Sequence, residues 1–308
     1  MGKVLNMKRK YPVLEYIFYS NYFYGFCAVA LSIEASLQQR FPLNDLLFYF
    51  LSFIATILYY IYPYARKRTP GSSNPRTRWY NRHFRLIFWN QIIITIILVA
   101  ALGWFIYRYQ QVLLSMPSFQ WLLILVFPLV AGLYYGINVL SVKYNLRKIG
   151  WLKPFIIGFA WAGLVTVYPV LYYCIVHGIN YEITFIGSLL TLKNMMFVAV
   201  LCIMFDVKDY ATDSTYKIST FVVKIGLRKT IFYLLLPLSL LGLLTFMAYA
   251  LTHQFLPGKI LLNTIPFLLL VAAGYSLRKR RSLLYYLVVI DGLMLVKAAC
   301  GIVAMLYF

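Results

Sequence analysis

The sequence predicts an all-α polytopic membrane protein with nine transmembrane helices, and three observations carry that prediction. Of its 308 residues, 62% are hydrophobic and only 12% charged, with a mean hydropathy of +0.76, a balance foreign to soluble domains. Uncharged apolar runs recur along the chain, each close to the about 20 residues a helix needs to cross a bilayer. Lysine and arginine collect in alternate connections between those runs, as they do when positive loops fix orientation.

Charged or Pro/Gly-containing breaks place the spans near residues 14–37, 45–65, 86–107, 119–140, 154–177, 183–205, 229–252, 257–277 and 283–306. Lys3, Lys8, Arg9 and Lys10 precede the first span, which lacks a small-residue cleavage site and therefore reads as a span and not a removable signal. The second runs into Arg66, Lys67 and Arg68, followed by Arg76, Arg78, Arg82 and Arg85. In that connection, 66–85, Pro70-Gly71-Ser72-Ser73 and Asn74-Pro75 mark turns. Between the fourth and fifth spans lie Lys143, Arg147, Lys148 and Lys153. Lys208, Lys217, Lys224, Arg228 and Lys229 follow the sixth span, and Arg278, Lys279, Arg280 and Arg281 follow the eighth. The opposite connections hold only Arg40, Arg108 and Lys259, while Lys193 and Lys297 lie inside spans. This asymmetry predicts a cytoplasmic N-terminus and a C-terminus on the opposite side of a bacterial plasma membrane.

A single integral membrane domain over 1–308 follows, because the longest polar connections, 66–85 and 206–228, are about twenty residues each, too short for a soluble domain but of a length that tends to be functional. The net charge of +21 is explained by basic loops that set topology and meet anionic membrane lipids, without a nucleic-acid partner. Cys27, Cys174, Cys202 and Cys300 have no ligand-like spacing and read as small apolar residues. His83, His177 and His253 are too scattered for a metal triad.

Chemistry concentrates in FDVKDYATD, where Asp206, Asp209 and Asp213 stand at i, i+3 and i+7 on one helical face. Three carboxylates this close repel one another unless a cation compensates, which makes all three candidate Mg2+ ligands and candidate catalytic residues. Mg2+ commonly completes its octahedron with waters and substrate phosphates. Lys217, Lys224 and Arg228 lie close in sequence and can neutralise phosphate charge. With 19% Phe, Trp and Tyr, the spans can also surround an apolar tail and stabilise a developing allylic cation. A lipid diphosphate fits both requirements.

The segment FDVKDYATDSTYKISTFVVKIG, residues 205–226, resembles the second aspartate-rich motif of the UbiA superfamily of intramembrane prenyltransferases, D-x-x-D-x-x-x-D followed by a T-L-P-V-x-x-G-like segment. Thr220 to Gly226 stands in the latter place. KYNLRKIGWLKPFIIGFAW, from Lys143 to Trp161, is similar to the family's basic loop leading into the fifth helix. The resemblance implies a nine-helix UbiA-like bundle whose loops 66–85 and 206–228 cap the site. It also implies Mg2+-dependent transfer of an isoprenyl group from its diphosphate to a lipid-soluble, usually aromatic acceptor.

The chain departs from that pattern at one place. Where the first motif, N-x-x-x-D-x-x-x-D, belongs, it reads LYYIYPYARKRTPG, and no acid occurs from Leu46 to Tyr181. Two readings stand. Arg66, Lys67 and Arg68 contact the diphosphate in place of one metal ion, or they only set topology and the chain is a non-catalytic relative that binds an isoprenoid or a membrane partner. A transporter is disfavoured by the lack of an internal repeat or matching broken helices. Tyr134, Tyr135 and Asn138 end the fourth span, where they either line an acceptor pocket or belong to an interfacial tyrosine belt. Glu34, Lys193, Asp291 and Lys297 are ionisable residues inside spans and call for interhelical partners, with Asp291 the candidate for a functional role.

Overall fold

Backbone N–H and C=O groups in hydrocarbon have no water to bond, so a spanning chain satisfies them within helices or closed barrels. Every element of this protein is helical in a computed structural model that describes residues 12–65, 68, 71–72, 74–135, 150–215 and 218–308. In chain order they are α1 (Pro12–Tyr19), α2 (Tyr22–Gln38), α3 (Leu46–Ala65), α4 (Pro75–Arg82), α5 (Phe84–Arg108), α6 (Gln110–Ser115), α7 (Ser118–Tyr135), α8 (Lys153–His177), α9 (Phe185–Thr215), α10 (Phe221–Ile225), α11 (Leu227–Thr252), α12 (Pro257–Ser276) and α13 (Leu283–Tyr307). Among the described residues, seven helices, α3, α5, α8, α9, α11, α12 and α13, are long and apolar enough to cross a membrane. The chain is an integral membrane protein.

The remaining two predicted spans take different forms. The fourth corresponds to α7, an apolar helix described only as far as Tyr135. The first is not one helix. It divides into α1 and α2 at Ser20-Asn21, where Asn21 adopts a left-handed conformation, φ 68°. Asparagine tolerates this better than most residues because its short polar side chain finds local hydrogen bonds. Nothing in the apolar pattern of 14–37 marks such a break.

The helices pack as a ring. α2 contacts α13, α13 contacts α12, α12 contacts α11, α11 contacts α9 and α9 contacts α8, which returns to α2 through a π-helical turn at Gly163–Val167. Outside the ring, α3 packs on α2 and supports α5, and α7 packs on α8. Only 6% of the central α5 stretch is buried, so this helix gives most of its surface to lipid. Two of the three π-helical turns, Gly163–Val167 and Ile231–Leu235, run into Pro169 and Pro237, whose missing N–H breaks the regular ladder. The third, Tyr286–Ile290, closes with the Asp291 N–H donating to the Tyr286 carbonyl at 3.1 Å.

Ion pairs between helices answer the demand made by the intramembrane charges. Glu34 on α2 is 1% exposed and accepts from Lys297 of α13 at 2.5 Å, with Lys193 of α9 at 3.6 Å. Gln38, one turn on, donates to Glu34 at 3.0 Å and to Asn263 of α12 at 3.1 Å, and accepts from Lys193 at 2.6 Å. Tyr249 of α11 donates to the Gln38 carbonyl. One carboxylate thus ties together α2, α9 and α13, and through Gln38 reaches α11 and α12. Gly301 gives it room, since a Cβ there would stand 2.5 Å from Glu34 Cγ. Removing one member of a buried ion pair leaves an uncompensated charge and costs about 3–5 kcal/mol. Glu34→Gln and Gly301→Ala should therefore each lower the melting temperature of the detergent-solubilised protein markedly, whereas Leu261→Ala, at a lipid-facing position 65% exposed, should not. A wild-type melt for Glu34→Gln would show that the cluster is not a structural clamp.

Candidate functional site

At one end of the ring, α4 and the adjoining parts of α2, α3, α7, α8, α9 and α13 surround a cavity of about 280 Å³. Its walls are aromatic: Tyr24 of α2, Tyr60 and Tyr64 of α3, Tyr134 of α7, Trp161 of α8 and Phe205 of α9. Charged groups reach the same space from Arg76 on α4, Lys153 on α8, Lys208 and Asp209 on α9 and Asp291 on α13. Tyr24 and Tyr60 stack at 4.3 Å with planes 10° apart, and Trp161 Nε1 donates to the Tyr60 hydroxyl at 2.9 Å.

Helix α9 explains how the aspartates are presented. The helix continues past the apolar stretch as far as Thr215, so much of the connection expected at 206–228 is helix and the i, i+3, i+7 geometry is kept. Their surroundings differ nonetheless. Asp206 is 0% exposed, and its Oδ1 accepts from Lys153 Nζ at 2.7 Å while its Oδ2 has no hydrogen-bond partner. Asp209 lines the cavity, is 42% exposed at its side chain and sits 2.7 Å from Lys208 Nζ. Asp213 lies half-buried a turn further on and outside the cavity wall. Burial pushes its carboxyl above the usual aspartate value, and Lys153 opposes the shift.

These positions bear on the expected metal. The described residues include every His, Cys, Asp and Glu of the chain, and among them no three come together to form a cage. The orphaned, buried Asp206 Oδ2 and the adjacent, cavity-lining Asp209 do fit one divalent ion whose remaining ligands come from substrate oxygens and water. Asp213 stands apart from that pair. At the end of α3, where an acidic motif would supply ligands for another ion, Tyr60 and Tyr64 face the cavity instead.

Three of the predicted basic contacts lie away from this cavity. Arg68 lies exposed over the Phe84 ring at 4.8 Å. Lys224 and Arg228 are exposed on α10 and at the start of α11, where Arg228 borders a surface hollow with Phe232 and Arg278. None of the three lines the cavity. Arg66, Lys143, Asn138 and Lys217 lie outside the described residues. Tyr135 closes α7, and Tyr134 before it forms part of the wall; the side chain of Tyr135 lies outside what the structure describes.

The cations that do enter, Arg76, Lys153 and Lys208, read in sequence as topology-setting charges. A local signal existed for one of them. Asn74-Pro75 is an N-cap followed by proline at the first helical position, and Asn74 Oδ1 accepts from the Arg76 N–H at 2.9 Å. This starts α4 and turns Arg76 inward. Arg76 donates to Asn21 at the helix break, and its guanidinium lies 5.1 Å from the Tyr64 ring centre. Asp291, 5% exposed, accepts from the Tyr24 hydroxyl at 2.5 Å.

No family model, curated protein or solved structure matches this chain.

The Lys153–Asp206 contact closes the wall between α8 and α9, with the carboxylate fully buried. Lys153→Met should destabilise the fold by about 3–5 kcal/mol by stranding Asp206, and adding Asp206→Asn should restore most of the loss. A double-mutant cycle from detergent melts checks this, and additive losses would mean that the pair is not coupled.

Proposed function

We propose that this protein is an intramembrane prenyltransferase of the UbiA type, moving an isoprenyl group from its diphosphate to a lipid-soluble, aromatic acceptor. The observation that carries this reading is the division of one cavity into a charged mouth and an aromatic interior. Arg76, Lys153 and Lys208 supply the positive charge a diphosphate needs. Tyr24, Tyr60 and Trp161 supply π-faces for an allylic cation. A second cavity of about 320 Å³, with an almost wholly apolar lining, lies along the same two helices, from Phe48 to Ala55 of α3 and from Leu164 to Ile175 of α8. An isoprenoid tail finds matching surroundings there.

In this reading the C1–O bond of the isoprenyl diphosphate breaks with its electron pair leaving on the diphosphate. The acceptor forms a carbon bond to C1 and loses a proton. Asp206 and Asp209 would hold Mg2+, which supplies charge neutralisation to the leaving diphosphate. Arg76 and Lys208 bind its oxygens, the stacked Tyr24 and Tyr60 face the cationic carbon, and Asp291 receives the acceptor's proton. Water is kept out by the apolar wall of Ile157, Val198, Leu201 and Leu287. The proposal includes nine crossings, a cytoplasmic N-terminus and a cavity open to the cytoplasm of a bacterial cell, in keeping with the placement of the basic loops.

One observation favours a second reading, a non-catalytic relative that binds an isoprenoid or a membrane partner: Asp206 and Asp209 are each already neutralised by a lysine. Pyrophosphate release separates the two. The prenyltransferase reading is tested first by melting the detergent-purified protein with a series of isoprenyl thiolodiphosphates, with Mg2+ present. At about 100 times its dissociation constant, a bound ligand should stabilise by roughly 2.7 kcal/mol. No stabilisation at any chain length would sink the reading, and stabilisation without pyrophosphate release from the natural diphosphate would select the non-catalytic one.

A further inference from the structure

Three cations, Arg76, Lys153 and Lys208, and three carboxylates, Asp206, Asp209 and Asp291, gather at the cavity, but only two of the cations touch a carboxylate. All eight carboxylates of the chain are described. Lys153 is matched by Asp206 and Lys208 by Asp209, while Asp291 is held by the Tyr24 hydroxyl. The direct contacts of Arg76 among the described residues are with neutral groups, Asn21 accepting from its Nη2 and Tyr64 lying beside the guanidinium, while the charge of Asp291 reaches it without a direct ion pair. Its buried Nε makes no hydrogen bond.

The arm is nevertheless held firmly. Tyr64 stacks on Tyr80 at 4.2 Å with planes 12° apart, and the Tyr80 hydroxyl accepts from Asn21 Nδ2 at 2.7 Å. Asn21 is thus fixed from both sides in its left-handed conformation, with its oxygen toward Arg76 and its nitrogen toward Tyr80. A guanidinium immobilised in this way, with a donor unused and no carboxylate in direct contact, is pre-organised for an oxyanion, whose paired oxygens match its fork.

We propose that Arg76 binds the oxygens of a diphosphate directly and does the work of a second metal ion, so that the site uses one divalent ion, at Asp206 and Asp209, and retains anion affinity without it. This rests on the diphosphate reading above. It places the cation on α4 and not on the Arg66–Arg68 cluster at the end of α3. The cavity wall between the two tyrosines of α3 offers no carboxylate to hold another ion, and Arg76 lies against it, over the Tyr64 ring.

The test is calorimetric titration of the detergent-purified full chain with inorganic pyrophosphate and, separately, with farnesyl thiolodiphosphate, each in Mg2+ and in EDTA. Both ligands should bind in EDTA, and Mg2+ should tighten binding with one ion taken up per chain. Arg76→Gln should weaken the EDTA-resistant binding by about ten- to a hundredfold. Arg76→Lys, which keeps the charge but loses the fork, should fall between. Asp209→Asn should lose the Mg2+ enhancement and keep the EDTA-resistant part. Abolition of wild-type binding by EDTA, uptake of two Mg2+ ions, or wild-type affinity of Arg76→Gln in EDTA would each overturn the proposal. Should Arg76→Gln fail to fold through loss of its Asn21 contact, the wild-type arms and Arg76→Lys decide. Displacement of pyrophosphate by phosphatidylglycerol in the micelle would identify the anion as a lipid headgroup and overturn the diphosphate assignment. Arg76-dependent pyrophosphate binding with no added affinity for the farnesyl ligand would keep this inference and overturn the prenyltransferase reading. Absence of all binding would overturn both.

Discussion

A charge enclosed in an apolar bundle has to be neutralised by a neighbour, and this chain has 8 acids to serve 29 lysines and arginines. Most of its basic groups avoid the problem by lying at the basic end of the helices. The few acids are therefore committed one by one. Glu34 satisfies two lysines from different helices and makes the ring a single packed unit. Asp45 caps α3 by accepting from the Phe48 N–H at 3.0 Å and from the Tyr172 hydroxyl at 2.8 Å. Asp206 fixes α8 to α9. What is left for chemistry is what these commitments do not use: one oxygen of Asp206, the exposed Asp209, Asp291 on its tyrosine, and a guanidinium that touches no carboxylate.

Local irregularity places those groups. A continuous first helix would have no left-handed residue at its middle, and Asn21 would not stand between Tyr80 and Arg76. A regular α-helix through Tyr286–Ile290 would present a different face at Asp291 than the π-helical turn does. Close backbone approach serves the same end. A Cβ on Gly150 would stand 2.8 Å from Thr220 N, so the lead-in to α8, and with it Lys153, packs directly on the chain that leaves α9. The aromatic interior then follows from ordinary helix packing, with residues one or two turns apart on α3 and α8 sharing the inward face.

Much of this was legible beforehand, for physical reasons. Seven of the nine predicted spans return as helices long and apolar enough to cross a membrane, with ends within a few residues, except that α9 runs on as helix well past its predicted end. Transfer of backbone into lipid permits little else. The carboxylates on α9 were visible because helical spacing is local. Lys193, Lys297 and Glu34 were recognisable as needing partners, although not as needing one another. By contrast, Lys224 and Arg228 stand out by nearness in sequence to the aspartates and Arg68 by its place where a first acidic motif would lie, and neither kind of position in the sequence says which side chains line the cavity.

The sequence by itself therefore determined the solvent this protein lives in, its helical class, the spacing of its spans and the face on which the aspartates stand. Each of these depends on composition or on the period of a single helix. Tertiary structure alone decided which cation meets which acid, that the first span breaks at Asn21, and that Arg76 enters the cavity without touching a carboxylate. Apart from the adjacent Lys208 and Asp209, those outcomes depend on contacts between residues 53 to 263 positions apart, and no local pattern encodes a pairing at that distance when every helix face is apolar.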